Sequence, residues 1–377
     1  MLSQCEKIDL FDDKCYDDGC IIYPALPVVP FDYSSIAFIA RITPNSADWS
    51  LCVMDKSGNN MQKIFDGTVA CQKPVRSNCG TQLLFRSVVF EYWTNPDNSF
   101  GSSSEFSLHI VNTDGTGLTL IDHIGTHEIG NFGGFDWSPD DKYIVYVKHS
   151  EGYTKRELIL YNVSNKTHTV LRTEGNICTP QFSPNGRQIA YCAIVESDPI
   201  FMNSHRNHHI FVIDVDGKNN RLLIREGSSP RWSPQGDRIA YISSGELGSS
   251  QIFVASACGH NQRQLTTTIS PQRWPGPYAP GGNSDPQWTP DGKKIVYVSQ
   301  ENERSEIFIM NADGSNQTRL TTAEFHDNTP EVTPDGKYIL FSSRRSDTME
   351  GGIIKMTLDG KNQRVISNTG IYPIACR

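Results

Sequence analysis

A single closed all-β propeller is the fold this sequence predicts, and three features predict it. A short phrase recurs five times: Trp137-Ser138-Pro139-Asp140-Asp141, Phe182-Ser183-Pro184-Asn185-Gly186, Trp232-Ser233-Pro234-Gln235-Gly236, Trp288-Thr289-Pro290-Asp291-Gly292 and Val332-Thr333-Pro334-Asp335-Gly336. Successive copies lie 45, 50, 56 and 44 residues apart. That is the length of one four-stranded blade, which cannot bury both faces alone and must stack against neighbours. The third feature is a set of strand–turn–strand patterns between the copies. They fall at residues 51–64, 107–121, 158–171, 209–223, 251–266, 306–321 and 353–367, and predict seven four-stranded blades.

Each blade reads in the same order. A short innermost strand runs into the Ser-Pro-x-Gly turn, where Pro and Gly supply the dihedrals of a tight antiparallel connection. A second strand rich in β-branched and aromatic residues follows, such as Lys294-Ile295-Val296-Tyr297-Val298. After a variable loop, a third strand turns through an Asp-Gly or Ser-Gly dipeptide into a polar fourth strand. The first hairpin lacks an upstream anchor, whereas Gly370-Ile371-Tyr372-Pro373-Ile374-Ala375-Cys376 reads as an innermost strand with nothing after it. The C-terminal strand is therefore expected to complete the first blade, which closes the ring and removes its exposed edges. The unit over 80–121 is the most degenerate, so six blades is the alternative count. Residues 1–34 are acidic, hold three cysteines and end in Pro24, Pro27 and Pro30. They read as an extended arm lying over a propeller of residues 35–377, with 22–28 as an alternative source of the first inner strand.

Composition narrows the function classes. A net charge of −8 disfavours nucleic acid, whose phosphates need a basic footprint. No run of 18 apolar residues is present, so no membrane span is expected. Ten cysteines without a CxxC pair point to an oxidising compartment, with buried free thiols as the alternative. If 183–187 is a turn, opposed residues sum to 370, which sets Cys178 against Cys192 across one hairpin at disulfide separation. Cys71 and Cys79 bracket a short loop and form a second candidate pair. Cys5, Cys15, Cys20, Cys52, Cys258 and Cys376 leave 15 connectivities open. The sequons at Asn162, Asn165 and Asn316 carry little weight by themselves.

The stretch Ser305-Glu306-Ile307-Phe308-Ile309-Met310-Asn311-Ala312-Asp313-Gly314, continued through Arg319-Leu320-Thr321 and Thr329-Pro330-Glu331-Val332-Thr333-Pro334-Asp335-Gly336-Lys337, resembles the repeats of the TolB-like propeller superfamily. These are also called PD40 or WD40-like repeats. The resemblance covers about residues 35–376, and the closing strand is similar to the way TolB propellers end. It implies the fold more than the function, because the superfamily includes the periplasmic translocation component, lipoprotein and sensor domains, propellers of prolyl-oligopeptidase-type peptidases, and oligogalacturonate lyases. Two departures matter. TolB itself carries an N-terminal α/β domain before six blades, for which 34 residues leave no room. The peptidases carry a hydrolase domain, and no GxSxG nucleophile elbow occurs in this sequence.

The second-to-third and fourth-to-first loops of every blade emerge on one face, and binding on a rigid ring usually resides in such loops. The longest are 94–105, 122–134, 195–208 and 268–285. The expected function is an exported, non-enzymatic binding propeller, periplasmic, cell-surface or secreted, that holds a protein or glycan on this face. Arg273, Trp274 and Tyr278, with His205 and Arg206, are the expected contact residues, being types enriched at interface hot spots. Leu2-Ser3-Gln4-Cys5 faintly resembles a lipid-anchoring motif. The alternative is a metal-dependent lyase or hydrolase of an acidic polysaccharide. Histidines His123, His127, His205, His208 and His326, read as loop residues, would hold its divalent metal. Asp285 and Asp327, just ahead of inner strands, read as caps of backbone amides.

Overall fold

The computed structural model describes residues 15–17, 20–22, 33–41, 48–65, 67–69, 72–94, 100–126, 134–149, 155–194, 208–245, 249–268, 282–302, 304–322, 325–344 and 351–376. Seven four-stranded antiparallel sheets form the seven blades. Blade 1 consists of Ile371–Cys376, Ser35–Ala40, Ser50–Asp55 and Gln62–Lys63, in that order from the axis outward. The C-terminal strand thus closes the ring as its spacing predicts, with Ser35 opposite Cys376 and Ile36 opposite Ala375. Blade 2 comprises Val75–Arg76, Gln82–Thr94, Phe100–Asn112 and Thr119–Thr126, and blade 3 Phe135–Trp137, Tyr143–His149, Arg156–Asn162 and Thr167–Glu174. Blade 4 follows with Cys178–Phe182, Gln188–Ile194, His208–Asp214 and Arg221–Ile224, then blade 5 with Ser228–Trp232, Arg238–Ser244, Ser250–Ser256 and Arg263–Gln264. Blade 6 holds Asn283–Trp288, Lys294–Asn302, Arg304–Asn311 and Thr318–Arg319, and blade 7 His326–Val332, Tyr338–Arg344, Gly351–Thr357 and Arg364–Ser367. A separate two-stranded hairpin pairs Cys15–Asp17 with Cys20–Ile22.

The recurring phrase builds the inner turn of each blade. Its hydroxyl accepts the first amide of the second strand: Tyr143 N–H to Ser138 Oγ at 2.9 Å, Gln188 to Ser183 at 3.0 Å, Arg238 to Ser233 at 3.1 Å, Lys294 to Thr289 at 3.0 Å and Tyr338 to Thr333 at 3.1 Å. A sixth copy hides in Ser77-Asn78-Cys79-Gly80, where Gln82 N–H donates to Ser77 Oγ at 3.1 Å and Gly80 N–H to Ser77 O at 2.9 Å. Proline and the aromatic are missing there, so the copy is invisible to a motif search. Blade 1 has no such turn because its first two strands come from opposite ends of the described chain.

A second repeat lies one step upstream. In five inner strands a residue of positive φ precedes proline: Thr179-Pro180, Ser229-Pro230, Asp285-Pro286, Thr329-Pro330 and Tyr372-Pro373, with φ between 45° and 55°. Each dipeptide occupies one position of the partner strand, which makes it a β-bulge. Proline lacks the N–H a regular ladder needs and is tolerated at a bulge. The single residues opposed to these bulges are Tyr191, Tyr241, Tyr297, Phe341 and Phe38, all 1% exposed or less. Three of them stack on the third strand, Tyr191 on Phe211, Tyr241 on Phe253 and Tyr297 on Phe308, with centroids 5.5–5.6 Å apart. Their hydroxyls reach Asn220, Gln262 and Gln317 near the outer turn.

Outer turns lock neighbouring blades together. Gly259, at φ 85°, lies so near Leu223 of blade 4 that a Cβ would sit 2.4 Å from its carbonyl oxygen. Only glycine fits both the dihedral and the approach. Apolar clusters between consecutive blades complete the seams, for example Ala240, Ile252, Val254, Ile295, Tyr297 and Met310 between blades 5 and 6.

Candidate functional site

The cysteine readings meet a mixed outcome. Cys178 and Cys192 are opposed in register, as the turn arithmetic predicts. They are nevertheless free thiols. The bulge at Thr179-Pro180 brings the Thr179 hydroxyl to 3.0 Å from the Cys192 sulfur, and a hydrogen bond to Cys192 together with burial pushes the Cys178 thiol up. Cys79 is also free, which corrects its pairing with Cys71, a residue outside the described set. It stands where the other copies have Asp, Asn or Gln and lies 3.3 Å from Ser77 Oγ and 3.1 Å from Thr81 Oγ1. Cys258 is disulfide-bonded, whereas Cys52 and Cys376 are buried thiols.

The histidines read as loop residues occupy strands instead. His123 lies within Thr119–Thr126, His208 opens a third strand and His326 opens an inner strand. His123 accepts or donates at 2.9 Å with Ser107 and faces the Glu105 carboxylate at 3.0 Å. His326 Nδ1 accepts from Ser305 N–H at 3.4 Å, and burial with Arg304 and Arg344 nearby holds its pKa below the usual value. These three stand on blades 2, 4 and 7, and among the described residues no group of three or more His, Cys, Asp or Glu is arranged to hold a metal ion. His127 and His205, like the contact residues Arg206, Arg273, Trp274 and Tyr278, lie outside the described residues.

What the structure does place on the loop face is an arm. Residues read as the loop 94–105 belong largely to the two longest strands among the described residues, Gln82–Thr94 and Phe100–Asn112, paired from Gln82 opposite Asn112 to Thr94 opposite Phe100. The outer strand of blade 2 pairs no further than Glu105, opposite Val89 in the hairpin. The inner strand pairs no further than Leu84, with one bridge from Val69 to Ser87. Beyond Val89 the two strands pair only with each other among the described residues. Nine large apolar side chains are exposed among the described residues, and three of them, Val89, Phe90 and Tyr92, crowd this arm at 58%, 51% and 78% exposure. Phe90 and Tyr92, two residues apart and so on one side of the strand, stack at 6.5 Å. A clustered apolar surface of this kind marks an interaction site more often than scattered single residues do. Residues 94–105 are mostly polar and hold Pro96 and Gly101, which is why the sequence reads there as a loop.

Around the axis, the residues just before four of the five anchors make polar links from blade to blade. Asp136 accepts from Phe182 N–H at 2.9 Å and Gln181 from Trp232 N–H at 2.8 Å, while Trp288 Nε1 donates to Arg231 O at 3.0 Å. Lys73 and Glu331 meet at 2.7 Å, joining blades 2 and 7, which flank the closing blade. Burial pushes the Asp136 carboxyl up to about 7, against the Phe182 amide and Arg231, which favour its charged form. A carboxyl raised on folding stabilises below its unfolded pKa and loses that contribution as pH climbs through its folded value. Wild-type urea midpoints should therefore fall between pH 5 and 8.5 by more than those of Asp136→Asn, whose amide oxygen still accepts from Phe182. Equal falls would contradict the assignment.

A family model described as the TolB beta propeller domain matches residues 92–275 and 200–375. The chain belongs to the TolB β-propeller family. It is 30% identical over 153 residues to a dipeptidyl-peptidase 5 of Porphyromonas endodontalis, covering 40% of this chain and 20% of that protein. It is 35% identical over 88 residues to the Tol-Pal system protein TolB of Thioalkalivibrio sulfidiphilus, covering 22% of this chain and 18% of the relative. The chain thus spans about a fifth of the length of these relatives. Among solved structures, an oligogalacturonate lyase from Vibrio parahaemolyticus superimposes with a TM-score of 0.57 at 11% identity over 89% of this chain and 87% of the lyase. That likeness is one of fold alone. No helix of the described residues is long and apolar enough to cross a membrane.

Proposed function

We propose that this TolB-family propeller is a non-enzymatic binding module that holds a protein partner on its loop face, through the arm of blade 2. The observation that carries the reading is the exposed Val89-Phe90-Tyr92 cluster on a ribbon that no described strand flanks. Aromatic residues are enriched at interface hot spots, and a ribbon with open edges offers backbone groups for strand addition. Export to an extracytoplasmic compartment goes with this reading and is supported by the TolB name of the matched family.

The test is a pair of substitutions, Phe90→Ser with Tyr92→Ser. Because both side chains are exposed, stability should change by no more than about 0.5 kcal/mol. Binding of the native partner recovered with wild-type protein should weaken by about 30-fold or more, in line with about 2 kcal/mol for a hot-spot side chain. Unchanged recovery of every partner would reject the arm as the contact surface.

A further inference from the structure

Cys178 opens the inner strand of blade 4 and Cys192 stands near the end of its second strand, so both lie toward the loop face. They are directly opposed, which sets their Cα atoms about 4.5–5.5 Å apart, inside the window of about 4.4–6.8 Å that a disulfide needs. The two sulfurs are hydrogen-bonded to each other, Cys178 donating and Cys192 accepting. The corresponding pairs of blades 5, 6 and 7 are Ser228 with Ile242, Ser284 with Val298 and Asn328 with Ser342. Blade 4 alone among these sets two thiols face to face.

The surroundings of the two sulfurs differ. Thr179, at φ 45°, brings its hydroxyl to 3.0 Å from Cys192, as Thr329 Oγ1 lies 2.7 Å from Ser342 Oγ in blade 7. Ser229 N–H, from the bulge of blade 5, also donates to Cys192, and Arg231 stands near it. Burial pushes the Cys192 thiol up, yet Cys178, Thr179, Ser229 and Arg231 together hold it below the usual thiol value. Cys178 has Arg156 near it, but its own donated hydrogen bond and its burial push it up. Two arginines beside the pair disfavour a metal cation and favour a thiolate, which is the reactive form of cysteine.

We propose that this pair is a reversible redox switch at the seam of blades 4 and 5, oxidised by a peroxide, with Cys192 as the attacking sulfur and Cys178 as the resolving one. The Cys192 thiolate attacks one peroxide oxygen, the O–O bond breaks, and the departing hydroxide takes up a proton to leave as water. The Cys178 sulfur then attacks the sulfenic sulfur of Cys192. The S–S bond forms, the S–O bond breaks, and a second water departs with the Cys178 proton. The two sulfurs lose two electrons, which the peroxide gains, and a dithiol reductant reverses the change. Cys192 is fully buried and Cys178 is 4% exposed, so the oxidant must be small. Both pack with Trp232 and Tyr241 of blade 5. In the disulfide, Cys192 no longer offers a charged acceptor to Ser229 and Arg231, so oxidation weakens the hold of blade 4 on blade 5.

The full chain is reduced, treated with hydrogen peroxide while folded, alkylated after denaturation and mapped by peptide mass spectrometry. The Cys178 and Cys192 peptides should be recovered joined, two hydrogens lighter than the separate pair. Dithiothreitol added to the folded, oxidised protein should separate them. In Cys178→Ser, dimedone should trap Cys192 as a sulfenic acid at least about tenfold faster than it traps Cys178 in Cys192→Ser, the ratio for thiols whose pKa values differ by about one. The wild-type map decides alone if either variant fails to fold. Peptides that stay separate, or equal trapping of the two sulfurs, would overturn the proposal. So would a bond that dithiothreitol cannot open in the folded protein, since the pair would then be a structural disulfide.

Discussion

Deletion of residues 371–376 should abolish the cooperative unfolding transition. The strand supplies Ile374, Ala375 and Cys376, which are 4%, 0% and 0% exposed, and lies against Ile36 and Phe38, both fully buried. Its loss uncovers several apolar side chains worth about 1.5–3 kcal/mol each and bares the ladder edge of Ser35–Ala40. That sum is comparable with the whole stability of a typical domain, about 5–15 kcal/mol. Calorimetry should show no sharp endotherm, and the free edge should promote association. A variant that melts as sharply as the full chain would mean that blade 1 does not need this strand.

Tyr297→Ala carries the second largest expected effect, a loss of about 3–5 kcal/mol in denaturant unfolding. The ring is 1% exposed, fills the space opposite the Asp285-Pro286 bulge and stacks on Phe308 at 5.6 Å. Its hydroxyl donates a long hydrogen bond of 3.2 Å to Gln317 Oε1, and Tyr297→Phe should cost about 1 kcal/mol. A similar cost for the two substitutions would place the stabilisation in the hydroxyl and not in the packing of ring against bulge.

These two results rest on elements of different legibility. The seven hairpins and the closing strand are visible in the sequence because Pro and Gly punctuate them and alternation fills them. The match of Cys178 with Cys192 succeeds for an incomplete reason. Near the turn, Phe182 actually opposes Ile189 and Gln181 opposes Ala190, sums of 371, and the bulge at Thr179-Pro180 returns the register to 370 at the cysteines. A bulge of this kind leaves only an x-Pro dipeptide as its trace, and x varies among Thr, Ser, Asp and Tyr. The polar links were hidden for a simpler reason. Asp136, Gln181, Arg231 and Glu331 share no side-chain type, only a position one before the anchor.

The candidate site was the least legible part. Sequence reasoning favours loops, because loops carry long insertions and mixed polarity, and so it passes over residues 88–94. There the strand continues past its neighbours and leaves apolar side chains exposed.

The most direct test of the binding role is site-specific photo-crosslinking with a benzophenone side chain placed at Tyr92, and separately at Val365, which is 58% exposed on the outer strand of blade 7. Expressed in the native host, the Tyr92 position should yield a discrete protein adduct that Val365 does not. Adducts from Val365 alone, or from neither position, would contradict a partner held by the arm of blade 2.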